Sequence, residues 1–133
     1  MRAGYAGEQA TIRVLIVDDQ PAVRRGLRLR LTLEPDVEVV GEAQDGAGAV
    51  SLARSLRPDV VLMDVRMPGT GGVEATVALR AVAPGSAVVI LSLYDDARTR
   101  VRAQEAGAAA FVAKTRAEVA LPEVIRRAAG GRG

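Results

Sequence analysis

Five short apolar runs, each followed by a longer stretch of helical period, restrict this chain more than anything else in its sequence. The runs cover residues 12–17, 37–43, 60–63, 87–91 and 109–113. Between them Val23, Leu27 and Leu31 recur every four residues, as do Val73, Val77 and Ala81, and Ala49, Leu52, Ala53 and Leu56 mark a second helix. Local signals agree with this alternation. Pro21 suits a first helical turn, Asp45 a cap, and Gly107 a helix stop before the fifth run. A βα unit repeated five times predicts an α/β domain, a (βα)5 doubly wound parallel sheet with helices on both faces. The competing expectation is half of a larger dinucleotide-binding sheet. Aromatic residues make up only 2% of the 133 residues, so the core must be built from Val, Leu, Ile and Ala. Such residues suit strands covered on both sides.

Absences narrow the chemistry. The chain has no Cys and no His. Disulfides, thiolate metal sites and a histidine general base are therefore excluded. Any metal must be a hard cation held by oxygen. The net charge of +2 does not by itself indicate nucleic acid, because 16 acidic residues are interspersed with 18 basic ones and three aromatics offer no stacking platform. No run of 18 apolar residues and no signal-peptide pattern occurs, so the expectation is a cytoplasmic protein that does not engage a membrane. Residues 1–11 read as a flexible leader, 12–130 as one domain, and the glycine-rich end as the start of a linker at 131–133.

The residues that follow the apolar runs carry the functional signal. The first run ends in Asp18-Asp19, the third in Asp64, the fourth in Ser92 and the fifth in Lys114. In a parallel sheet all these ends collect along one edge, where α/β folds place their sites at the reversal of strand order. Taken singly, each has an ordinary role: a helix cap, a turn residue, a strand-end filler. Lys114 is harder to set aside, because it is the only Lys beside 17 Arg. An ammonium is a compact point charge on a flexible stem, unlike a guanidinium fork. Converging carboxylates repel unless a cation sits among them, as Mg²⁺ or Mn²⁺ does with hard oxygen ligands. A carboxylate can also attack phosphorus to give an aspartyl phosphate, with cations and a hydroxyl holding the equatorial oxygens. On that chemistry the metal, Lys114 and Ser92 would each take one phosphoryl oxygen.

The strings VDDQPAVRRGL, VLMDVRMPGTGG, VVILSLYDD and GAAAFVAKT resemble, in order and spacing, the landmarks of response-regulator receiver domains of two-component systems. The likeness covers roughly residues 11–130. It implies a flavodoxin-like, CheY-like sheet of order 2-1-3-4-5, with Asp64 as phosphoacceptor. It also implies a metal site formed by Asp18, Asp19, Asp64 and the backbone carbonyl of Arg66, with Asp19 the more direct ligand. Ser92 would be the switch hydroxyl, Lys114 the phosphoryl-binding lysine, and Phe111 the aromatic that changes rotamer. A sensor histidine kinase is the implied donor, and a homodimer the implied phosphorylated state. Asp95 to Ala106 is the expected fourth helix, loosely held through Ala97 and Val101, and the surface it forms with the fifth strand and last helix is the expected output face. An alternative dimer contact uses the first and last helices.

DVRMPGTGG and RRGL are most similar to the NarL/FixJ subfamily, whose members carry a LuxR-type helix-turn-helix domain after the receiver. DNA would then be reached only through an output domain beyond this segment; a stand-alone receiver acting by protein contact is the alternative. Three departures stand out: Gln20 where that subfamily commonly has His, Phe111 for Tyr, and Pro122, which predicts a last helix that starts late or kinks. An aspartyl-nucleophile phosphatase is disfavoured, since Arg66 stands where those enzymes have an acid/base Asp. Gly69, Gly71 and Gly72 lack the Lys-Ser/Thr of a phosphate loop. Gly41, Gly46 and Gly48 are expected to form a turn.

Overall fold

The computed structural model describes residues 11–67, 69, 71–93 and 96–131. Strands β1 (Ile12–Val17), β2 (Val37–Ala43), β3 (Val60–Asp64), β4 (Ala87–Ser92) and β5 (Ala110–Ala113) alternate with five helices. These are α1 (Pro21–Thr32), α2 (Gly46–Leu56), α3 (Gly72–Val82), α4 (Ala97–Ala106) and α5 (Ala117–Gly131). All strand pairs are parallel and the order is 2-1-3-4-5. Of the expected leader only Thr11 is among the described residues. Of the expected linker start, Gly131 closes α5 and residues 132–133 lie outside.

Strand alternation sorts the core into two layers. Val14, Ile16, Val60, Leu62, Val89 and Leu91 face α1 and α5, where Leu31, Leu121 and Ile125 meet them. Leu15, Val17, Val61, Met63, Val88 and Ile90 face the other way, against Ala49 and Ala53 of α2, Ala75 and Leu79 of α3 and Ala103 of α4. Because both faces are covered, the central strands β3 and β4 read as unbroken apolar runs up to Asp64 and Ser92, whereas the edge strand β2 carries Glu38 and Glu42. Burying a side chain such as Leu121 contributes about 1.5–3 kcal/mol, and truncating it to Ala would cost about 2–5 kcal/mol.

Several local expectations hold for stated reasons. Pro21 opens α1, where its missing N–H costs nothing. Asp45 caps α2 by accepting the Gly48 N–H at 2.7 Å. Gly107 ends α4 at φ 102°, a left-handed conformation that favours glycine. Others need correction. On α3 the buried face is Gly72, Ala75, Thr76 and Leu79, whereas Val77 and Ala81 are exposed. The helix lies so close to β3 that its small side, not its Val stripe, must face the sheet. Gly41 is not in a turn but inside β2, next to a bulge: Val14 pairs Val39 while Leu15 pairs Gly41. The extra residue switches faces, so Val39 packs with α1 and α5 while Ala43 packs with α2. Gly46 and Gly48 belong to the first turn of α2. The last helix does not start late: α5 begins at Ala117 and runs through Pro122, after a 3₁₀ turn (Lys114–Arg116). Pro122 lies inside the helix, where its missing N–H leaves one intrahelical bond unmade.

Candidate functional site

Parallel pairing brings the predicted residues to one end of the sheet. Val17, which pairs with Met63, leads into Asp18 and Asp19; Asp64 pairs with Leu91; and Ser92 pairs with Ala113, which precedes Lys114. Asp64, Ser92 and Lys114 therefore sit at the ends of three adjacent strands, with Asp18 and Asp19 at the end of a fourth. This is the point where strand order reverses between β1 and β3.

One carboxylate oxygen from each of Asp18, Asp19 and Asp64 lies within 4.8 Å of the others. Asp18 and Asp64 are buried, and Asp19 is the most open of the three. The Lys114 ammonium spans the two buried groups, donating to Asp18 Oδ2 at 3.0 Å and lying 3.4 Å from Asp64 Oδ1. Asp18 is held at every polar atom. Its N–H donates to Ala43 O, its Oδ1 accepts from the Gln20 N–H, and its carbonyl accepts from Arg24. Burial raises the Asp64 pKa above the ordinary carboxylate range, and the Asp18 charge adds to this. The Lys114 charge and the Arg66 N–H oppose the rise without cancelling it. An all-oxygen set with excess negative charge fits a hard divalent cation.

Arg66 donates its backbone N–H to Asp64 Oδ1 at 3.4 Å, and with Asp19, Val65, Met67 and Gly71 it lines an open depression. Ser92 is fully buried. Strand alternation puts its side chain on the same face as Ile90 and Phe111, with Phe111 two residues back along β5. The Phe111 ring is partly buried beneath the Arg100 guanidinium of α4, whose carbon lies 4.6 Å from the ring centroid. Of the α4 side chains only Ala103 is buried. Ala97 and Val101, the expected anchors, are exposed, so the helix is loosely held but by a different residue.

Sequence reasoning missed Arg24, Glu42 and Arg100. Each is one Arg or Glu among many, and its role depends on distances across elements that no spacing rule reveals.

Residues 14–126 match the family described as response regulator receiver domain. Among curated proteins, the chain is 42% identical over 121 residues to the transcriptional regulatory protein LiaR of Bacillus subtilis, covering 90% of this chain and 57% of that protein. It is 40% identical over 124 residues to the nitrate/nitrite response regulator protein NarP of Escherichia coli, covering 93% and 58%. The chain thus spans a little over half the length of these relatives. The signal receiver domain of the response regulator NarL from Mycobacterium tuberculosis superposes with a TM-score of 0.87 at 35% identity, covering 92% of this chain and 98% of that one. A LuxR-family response regulator from Aurantimonas gives 0.88 at 36% identity, covering 92% and 88%.

Proposed function

The chain belongs to the response regulator receiver family of two-component systems, and from that premise we propose that Asp64 is its phosphoacceptor. An Asp64 carboxylate oxygen attacks the phosphorus of a phosphohistidine on a partner sensor kinase. The P–O bond forms as the P–N bond breaks, and the donor imidazole recovers its proton. These 133 residues contain no His, so none of them can be the phosphoryl donor. Asp18, Asp19, Asp64 and the Arg66 carbonyl would hold Mg²⁺ or Mn²⁺, which supplies charge neutralisation to the phosphoryl oxygens. Lys114 moves from the carboxylates to a phosphoryl oxygen, and the Ser92 hydroxyl donates to another. Hydrolysis of the acyl phosphate later resets the switch.

The observation that carries this reading is the Lys114 ammonium spanning Asp18 and Asp64 within the carboxylate cluster. Output on this reading is cytoplasmic transcription regulation, through phosphorylation-dependent dimers and a LuxR-type DNA-binding domain beyond residue 133. Its support is that both relatives above are regulators of which this chain spans 57% and 58%. Among the described residues no helix is long and apolar enough to cross a membrane. Intact mass after acetyl phosphate treatment tests the core of the reading. Wild type should gain one phosphoryl group only with Mg²⁺, and Asp64→Asn should gain none. Equal labelling of the variant would refute it.

A further inference from the structure

The most open of the three clustered carboxylates is also the one with the least to hold it. Asp19 makes no side-chain hydrogen bond or ion pair among the described residues, whereas Asp18 is engaged through its N–H, its carbonyl and both carboxylate oxygens. The position of Asp19 is thus inherited from the peptide plane that joins it to Asp18. That plane contains the Asp18 carbonyl, so whatever grips this oxygen orients the Cα of Asp19.

The grip is Arg24. Its Nη1 donates to Asp18 O at 2.6 Å, a short charge-assisted bond, while its Nε donates to Glu42 Oε1 at 3.0 Å. The guanidinium is planar, so fixing one edge on Glu42 fixes where the other points. Glu42 is itself secured, since its second oxygen accepts from Arg28 at 2.7 Å. Hydrogen bonds from Arg28 and then Arg24 hold the Glu42 pKa below the usual carboxylate range, so it stays ionised. Glu42 also neighbours Ala43, whose carbonyl takes the Asp18 N–H. The two ends of the Asp18 residue are therefore stapled to adjacent residues of β2, one directly and one through Arg24.

We infer that Arg24 is a positioning residue for the cation site, holding the Asp18–Asp19 peptide so that the Asp19 carboxylate is presented without reorganisation. This rests on the metal-binding reading above and goes beyond it by naming the residue that organises the metal ligand. The sign of the effect separates positioning from simple electrostatics. Removing a positive charge beside a cation site should strengthen cation binding through space. Loss of a clamp should weaken it, and changes to groups that orient metal ligands typically cost 10–100-fold in affinity.

The test is calorimetric titration of the whole chain with MgCl₂, for wild type, Arg24→Gln, Arg24→Lys and Arg28→Gln. Arg24→Gln should bind Mg²⁺ on the order of tenfold more weakly than wild type. Arg24→Lys keeps the charge but cannot span both partners, so it should fall by a smaller factor; it also serves if Arg24→Gln does not fold. Arg28→Gln loses the same charge and the same Glu42 partner but does not touch Asp18, so its affinity should match or exceed that of wild type. An Arg24→Gln chain that binds as well as wild type, or better, overturns the inference, as does an equal loss in Arg28→Gln. A wild-type chain that binds no Mg²⁺ sinks the metal reading itself, an outcome distinct from failure of the clamp.

Discussion

Gly72→Ala isolates the close approach that seats α3 against the strand carrying Asp64. A Cβ at this position would lie 2.2 Å from the Asp64 carbonyl oxygen, 2.8 Å from the Val65 Cα and 3.0 Å from the Asp64 carbonyl carbon. Non-bonded carbon contacts settle near about 3.5 Å, so the helix start and the strand end must separate by roughly 1 Å. All three opposing atoms are backbone, and no rotamer change relieves them. Overpacking of this kind costs about 1–3 kcal/mol, with the upper part expected for a backbone clash, while the helix preference of Ala over Gly returns at most about 1 kcal/mol. The net expectation is a loss of about 2 kcal/mol, or roughly 6–10 °C in Tm for a domain of this size. Thermal melts by far-UV circular dichroism would read it. Two other glycines calibrate the scale. Gly26→Ala places its Cβ in open space within α1 and should stabilise by up to about 1 kcal/mol. Gly41→Ala meets only side-chain tips, Leu56 Cδ1 at 2.9 Å and Leu15 Cδ1 at 3.4 Å, and should cost less than Gly72→Ala. A Gly72→Ala protein melting within about 2 °C of wild type, or a Gly26→Ala protein falling as far, would refute the reasoning.

The site itself makes further predictions. With its pKa raised in the fold, ionised Asp64 costs stability, so metal-free Asp64→Asn should be more stable than wild type. That advantage should grow as pH rises through the carboxylate range and level off above the raised pKa; an advantage that shrinks with rising pH would contradict the cause assigned here. Mg²⁺ at a hundredfold excess over its Kd should stabilise wild type by about 2.7 kcal/mol, and an unchanged Tm in millimolar Mg²⁺ would count against the metal site. Lys114→Arg should still be labelled by acetyl phosphate while losing the coupled rearrangement, because a planar fork cannot replace a point charge between two carboxylates. Full switching in that variant, followed by amide exchange, would overturn the role. Beryllofluoride should change amide exchange most within residues 93–113, where Ser92, Phe111 and Arg100 couple β4, β5 and α4. Changes confined to 21–33 and 117–129 would instead favour an output through α1 and α5.

What was legible in the sequence is what depends on period and order. The strand ends are residues whose neighbours are dictated by topology alone, so Asp18, Asp19, Asp64 and Lys114 could be brought together without coordinates. Side-chain facing was less legible. The Val73–Val77–Ala81 spacing identified a helix but not its buried side, because Gly72 lets α3 approach closely enough for Ala75 and Leu79 to reach the core first. The β2 bulge was equally hidden, since one extra residue changes the face of everything after it while leaving the apolar pattern intact. Arg24 and Glu42 were beyond reach for another reason. Eighteen residues separate them, and only the folded distance of 3.0 Å distinguishes this Arg–Glu pair from the many others the composition permits.

The charge balance of the resting site follows from these placements. Three carboxylates face one ammonium, so the cluster keeps a net negative charge even with Lys114 in contact. The raised pKa of Asp64 comes first from burial, with the Asp18 charge adding to it against Lys114 and the Arg66 N–H. On the proposed reading, a phosphoryl group on Asp64 would add further negative charge at the same place, which one lysine cannot neutralise. A cation and a phosphoryl group would on that reading be coupled here by electrostatics, with Lys114 the group that would transfer its contact. Asp18, by contrast, is held through its N–H, its carbonyl and Oδ1 independently of its Oδ2 contact with Lys114, so a movement of the lysine would not release it.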